Sequence, residues 1–284
     1  LGLFGWFFGV LPINCFGPQL AGAFLGYGFS RGYGRLVEHL TGVMLPKGGT
    51  RSDWLRRPLG RDKQGYAALD VEFLFEIAQR LLKELKEKDR WQWMVEDSNL
   101  LVKNFAQIAK AENAYARARG VWRLSLVGQA ILRELYTWRE KAARERNLPR
   151  NRVIQESTLF DLAEKRPAHI GQLRKIEGLA ERRIKNDGSA LLGVIDRAKR
   201  LPDSEWPQEA LRPLNTAQKK VQKNLRSKVV EVAERQNISP EILVRKKEYE
   251  SVVRQCEDMA DIKGYLMDVL GGWRKQVIED FYEP

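Results

Sequence analysis

Cysteine and histidine are nearly missing from this chain, with two of each in 284 residues. Cys15 and Cys256 lie far apart, so no disulfide framework is implied and a reducing cytoplasm is the simplest setting. His39 and His169 are likewise distant, and no cysteine pair has metal spacing, which argues against a zinc site. Long apolar runs are lacking as well. The opening LGLFGWFFGVLPINCFG is nearly all apolar, but Pro12 and Asn14 break it well short of the roughly 20 residues a membrane helix needs. Without a basic n-region or a small-residue cleavage site it makes a poor signal peptide. Gly2, Gly5 and Gly9 weaken it as a helix, and it reads as a buried segment of a domain.

Acidic residues are the other shortage. Against 49 Lys and Arg there are 37 Asp and Glu, a net charge of +12. Such a surplus favours a polyanionic partner, of which nucleic acid is the commonest, although a merely basic soluble protein has the same balance. Hydrophobic content of 43% and charged content of 30% describe an ordinary globular chain, long enough for more than one core.

What is present is helix. Leu69, Phe73, Ile77 and Leu81 recur at three-to-four spacing and predict one long helix, which runs out in the charged KELKEKDR. A second is expected over roughly 97–119. Residues 131–202 then carry clear punctuation and no strand alternation. Asn147-Leu148-Pro149 stops one helix, Ser157 is placed to cap the next, Arg166-Pro167 stops that one, and Gly178 separates two short ones. After the linker LPDSEWPQEALRPLN, the stop Asn237-Ile238-Ser239-Pro240 answers Asn147-Leu148-Pro149, so two related helical units in tandem are expected.

Within QGYAALDVEFL, Tyr66 and Asp70 stand four apart, one above the other on a helix. Spacing alone favours the bland account of a half-buried tyrosine and a solvated aspartate. The loop PKGGTRSDWLRRPLGR crowds Lys47, Arg51, Arg56 and Arg57 around Trp54. It reads equally well as a phosphate-contacting loop and as a solvated basic turn with Trp54 packed inward. The glycines of GYGFSRGYGR match no phosphate loop, since neither the Lys-Ser/Thr of a P-loop nor a strand–helix context accompanies them, and they read as turns.

These stretches together resemble the bacterial ribonuclease D family. YGRLVEHLTGVMLPKGGTRSDWLRRPL and QGYAALDVEFL look like the C-terminal half of its catalytic domain, and WREKAARERNLPRNRV with LRKIEGL looks like a helicase-and-RNase-D C-terminal (HRDC) domain. The resemblance implies a mainly α chain: the C-terminal remnant of an α/β ribonuclease H-like (DEDD) exonuclease domain over 1–85, connecting helices over 86–130, an HRDC domain over 131–205 and a second, divergent HRDC-like domain over 206–284. It also implies a 3′-5′ exoribonuclease that trims RNA 3′ ends, including those of tRNA precursors, in the cytoplasm and away from membranes. YAALD matches the third motif of the DEDDy class, which would make Asp70 a ligand of Mg²⁺ or Mn²⁺ and Tyr66 the residue that orients the attacking water.

The same comparison predicts a defect. The first acidic motif would fall ahead of Leu1, implying a missing N-terminal half of the domain. At the second, INCFGPQ puts Gly17 and Pro18 where a metal-binding Asp and a polar residue are expected. Asp70 is then the one metal carboxylate left, and the chain is expected to be inactive by itself. Residues 136–200 carry 16 Lys and Arg against nine Asp and Glu, which suggests an RNA-binding face drawing on Arg139, Arg150, Arg152, Arg182 and Arg183 beside Lys47 and Arg51. The alternatives are a non-catalytic RNA-binding helical module and a protein–protein adaptor built on the same helices. His169, after Pro167 at a helix start, is expected to cap or pack rather than catalyse.

Overall fold

The computed structural model describes residues 2–29, 31–46, 54, 56–108, 113–256 and 262–281. Among them there is no strand, so the chain is mainly α. They group into two compact units, one of residues 1–11 and 103–213 and the other of 12–102 and 214–284. These units group residues by packing. The divisions at 85, 130 and 205 rest on resemblance and are a separate matter.

The first unit centres on α7 (Leu126–Glu145), which packs on α9 (Glu156–Lys165) and α11 (Glu181–Lys199), with the short α8 (Arg150–Val153) and α10 (Ile170–Leu173) between them. Ser125 caps α7 by accepting from the Gly128 amide, satisfying one of the orphan donors of a helix start. Leu132, Leu135, Leu159, Leu162, Leu173 and Leu191 are fully buried together, and Tyr115, Val121 and Leu124 extend this core ahead of α7. The stops behave as their chemistry demands: Asn147 and Arg166 take the left-handed conformation where α7 and α9 end. Gly178 is left-handed too, and a Cβ there would meet Thr158 Oγ1 at 2.6 Å. Ser157 does not cap α9. It lies inside the first turn, and Gln155 holds the cap position.

In the second unit α12 (Thr216–Arg235), α13 (Pro240–Leu243) and α14 (Lys246–Gln255) repeat the lengths of α7, α8 and α9: 20, 4 and 10 residues in each set. Asn237 is left-handed like Asn147, and an Asn215–Gln218 capping box starts α12. This set shares one core with α2 (Pro18–Phe24), α3 (Tyr33–Thr41), α5 (Leu74–Glu87), α6 (Trp91–Ile108), α15 (Ile262–Val269) and α16 (Trp273–Phe281). Phe24, Leu36, Ile77, Leu81 and Leu85 are buried beside Leu225, Leu243, Val252 and Ile278. The Ser239 amide donates to the Ala23 carbonyl at 2.9 Å, and Arg90 donates to the carbonyls of Phe24 (2.7 Å), Asn237 (3.1 Å) and Gln236.

Three expectations are corrected. The opening stretch is helical, α1 (Gly2–Phe8), and not a buried segment: Phe4, Phe7 and Phe8 are each half or more exposed. The long helix expected through Leu69 and Phe73 is two, α4 (Arg61–Glu72) and α5, divided at Phe73. The helix expected over 97–119 begins earlier, at Trp91, and 115–117 and 121–123 are single 3₁₀ turns.

Because the apolar side chains of 12–102 are covered by 214–284, a fragment 12–102 should stay unfolded alone, while 113–213 should melt cooperatively by itself. Limited proteolysis of the two fragments checks this, and a protease-resistant, isolated 12–102 would contradict it.

Candidate active site

α4 buries none of its residues, so it is held in place from its ends and by single contacts. At its C-terminal end, the amide of Phe73 donates to the Tyr33 hydroxyl at 3.2 Å, which ties the start of α3 to the α4–α5 junction. Nearer its middle, the Tyr66 ring lies 5.9 Å from that of Trp54, tilted by 49°. Trp54 was expected in the core. It is half-buried, and what it touches is Tyr66. The far end of α3 is fixed to α5 by Arg80, which donates to the Leu40 carbonyl and pairs with Glu76.

Between these elements lies an open pocket of about 860 Å³. Tyr66, Leu69 and Asp70 of α4 line it together with Arg31, Arg35 and Glu38. The i,i+4 pair read from the sequence therefore does share one volume. Burial raises the Tyr33 phenol, the Phe73 amide pulls it partly back, and the carboxylates of Asp70 and Glu72 add to the rise, so Tyr33 is protonated at neutral pH. Tyr27, which also lines the pocket, donates to Glu84 at 2.6 Å. Burial first, and then this bond to a carboxylate, push its phenol up to about 12.

The 3′-5′ exonucleases generally depend on divalent metal, so the residues were tested against a metal pair. Among the described residues no three His, Cys, Asp or Glu side chains converge. Gly17 precedes α2 and is not part of the pocket wall. Its backbone is extended (φ −106°), and a Cβ there would meet nothing nearer than Leu20 Cβ at 3.7 Å, so an aspartate would fit. As they stand, the described residues do not fit a two-metal centre.

The basic residues proposed for RNA separate by their partners. Lys47 and Arg51 lie outside the described residues. Arg139 is corrected: it is 4% exposed, its guanidinium sits 4.5 Å over the Tyr136 ring and reaches the Ile154 carbonyl, and it meets no phosphate there. Arg150 pairs with Glu140. Arg183 and Arg146 both pair with Asp187, a nearly buried carboxylate. Only Arg152 and Arg182 of this set are exposed without a side-chain partner among the described residues. His169 stands exposed at the cap position of α10 and makes no capping bond.

The HRDC domain family matches residues 128–195, and a 3′-5′ exonuclease family matches residues 4–86. Ribonuclease D of Pseudomonas paraeruginosa is 39% identical over 268 residues, covering 94% of this chain and 70% of that protein. Ribonuclease D of Escherichia coli is 29% identical over 274 residues, covering 96% and 72%. The crystal structure of Escherichia coli RNase D, described as an exoribonuclease involved in structured RNA processing, superposes with a TM-score of 0.77 at 27% identity, over 99% of this chain and 77% of that one.

Burial raises the Asp187 carboxyl, but Arg146 and Arg183 outweigh it, and the net shift is below the ordinary 3.8. The stability this gives is full above that value and drains as pH falls through the lower folded one. Fragment 113–213 should therefore lose melting temperature below pH 3.8, and Asp187→Asn should flatten that loss. Arg183→Glu should cost about 3 kcal/mol and Arg182→Glu under about 0.5 kcal/mol, as read by urea unfolding.

Proposed function

This chain belongs to the ribonuclease D family of 3′-5′ exoribonucleases, and from that premise we propose that the α3–α4 pocket is its exonuclease site. The observation that carries the reading is the convergence of Tyr66 and Asp70 on one pocket that two arginines also line. In this reading Asp70 is one carboxylate of the metal-holding set and the Tyr66 phenol holds a water by hydrogen bonding. The ring contact with Trp54 orients that phenol. The substrate is a single-stranded RNA 3′ end, that of a tRNA precursor included. Divalent metal, when bound by a full ligand set, supplies charge neutralisation and an activated water.

Residues 1–284 contribute one of the four expected carboxylates, and Gly17 occupies the place of another, so hydrolysis needs acidic ligands beyond those described. We assign α12–α16 to a second, divergent HRDC-like unit, supported by the matched helix lengths and the left-handed asparagines. Residues 1–85 are assigned to the C-terminal remnant of an α/β exonuclease domain, supported by the family match over 4–86. RNA contacts beyond the pocket fall to Arg152 and Arg182. Neither cysteine is in a disulfide, which suits a cytoplasmic protein, and no described helix is long and apolar enough to cross a membrane.

With Mg²⁺, the 284-residue chain should not shorten a 5′-labelled RNA above background. A hybrid that joins the part of Escherichia coli RNase D not matched here to this chain carrying Gly17→Asp should shorten it from the 3′ end. In that hybrid Asp70→Asn should lower the rate at least about a thousandfold and Tyr66→Phe about a hundredfold. Shortening that survives Asp70→Asn would sink the site assignment.

A further inference from the structure

Residues 27–29 and 31–35 of the segment GYGFSRGYGR, which the sequence offers only as turns, line the pocket that Asp70 also lines. Gly26 and Gly28 are both left-handed, and a Cβ on Gly26 would stand 2.4 Å from Asn237 Oδ1, so glycine is what lets the chain pass α12 and turn. The turn places Tyr27, Phe29, Arg31, Tyr33 and Arg35 along one cavity.

Two features of this wall serve no purpose in holding the fold. Neither Arg31 nor Arg35 has a carboxylate partner among the described residues, whereas Arg80 pairs with Glu76, and Arg245 and Arg274 with Asp97. Phe29 is 50% exposed and Met44 78% exposed, yet both line the cavity. Unpaired guanidiniums call for an anion, and an exposed ring beside them calls for a planar apolar partner. A nucleotide in a single strand offers both, with its phosphate within reach of the arginines and its base free to stack. The bases of a duplex are already stacked and cannot reach the ring.

We propose that Arg31, Arg35 and Phe29 form a nucleotide-binding subsite, in which the two arginines hold backbone phosphates of a single-stranded RNA and Phe29 stacks one of its bases. The proposal rests on the reading of this pocket as the exonuclease site and goes beyond it by naming the groups that grip the strand. It gives the arginines no part in bond cleavage. Glu38 and Asp70 are the acidic groups that line the same cavity, and a phosphate there is held against their repulsion by the two arginines.

The test uses the full 284-residue chain, a fluorescent single-stranded RNA decamer and EDTA, so that binding is read without chemistry. Arg31→Ala/Arg35→Ala should weaken binding at least about tenfold and reduce the slope of log affinity against log salt by about 0.7 for each phosphate released. Arg31→Lys/Arg35→Lys should restore most of that slope, because the charge returns. Phe29→Ala should weaken binding about tenfold and leave the slope unchanged. Helical circular dichroism should be the same for all of these. A decamer with 4-thiouridine at its 3′ end, or at an internal position, is then cross-linked and the adduct mapped. Cross-links to the 27–35 segment that vanish in Arg31→Ala/Arg35→Ala support the subsite. If they form from the internal position alone, the subsite stands while the reading of the pocket as a 3′-end site fails. If the 3′-terminal probe cross-links there equally in parent and double variant, the subsite is overturned and the exonuclease reading stands. An acidic peptide that displaces the RNA from the pocket while the salt slope ignores both arginines also overturns it.

Discussion

Everything in the second unit hangs on one buried carboxylate. Asp97 on α6 is 1% exposed and accepts from Arg274 through two bonds, of 2.7 and 2.5 Å, as well as from Arg245 at 3.1 Å and from Trp273 Nε1 at 3.3 Å. A paired, fully hydrogen-bonded charge is tolerable in a core, and the same charge with a partner removed is not. Arg274 in turn donates to the Ile242 carbonyl, so α6, α13, α14 and α16 are fixed through a single group. Trp273 stacks on Trp93 at 4.7 Å and meets Phe24 edge-on at 5.2 Å, which carries the same restraint to α2. The pocket's framework of α2, α3 and α5 is thus set by helices at the other end of the chain.

Periodicity and punctuation made the first unit legible. Its helices are bounded by clear stops and its core is drawn from one continuous stretch of chain. The stops at Asn147 and Arg166 act through their own backbones, and residues such as Leu135, Leu159 and Leu191 are where an apolar repeat puts them. The Tyr66–Asp70 pair was legible for the same reason, since i,i+4 spacing is a local property. The ties that position the site are long-range. Nothing near Phe73 says that a phenol forty positions earlier will take its amide, and nothing near Asp97 names Arg274, 177 positions later. Arg139 was misplaced because charge was taken as surface, whereas a guanidinium can lie over a ring and spend its donors on a carbonyl. The turn segment was passed over because its glycines fit no motif, although the side chains between them define the pocket wall.

The site itself is lightly anchored. A helix of 12 residues with no buried side chain has little stability of its own in water. The positions of Tyr66 and Asp70 therefore depend on the Tyr33–Phe73 bond, the Trp54 ring and the continuation into α5. Val71 and Phe75, exposed at 61% and 74%, add nothing to that hold. Tyr66 and Asp70 thus stand on a helix with no buried side chain, while the arginine-bearing segment of the pocket is braced by Tyr27 on Glu84.

The split pairing of 12–102 with 214–284 also sets an order of events on the ribosome. Leu85 leaves the exit tunnel long before Ile278 is made, and at 5–20 residues per second the gap is roughly 10–40 s. In that interval the intervening 103–213 can close its own core. The earlier helices meanwhile carry Phe24, Leu36, Ile77 and Leu81 with nothing of their own to cover them, and so are clients for a holding chaperone. The pocket consequently takes shape after the core of 103–213, and its assembly reports that translation has reached α12–α16.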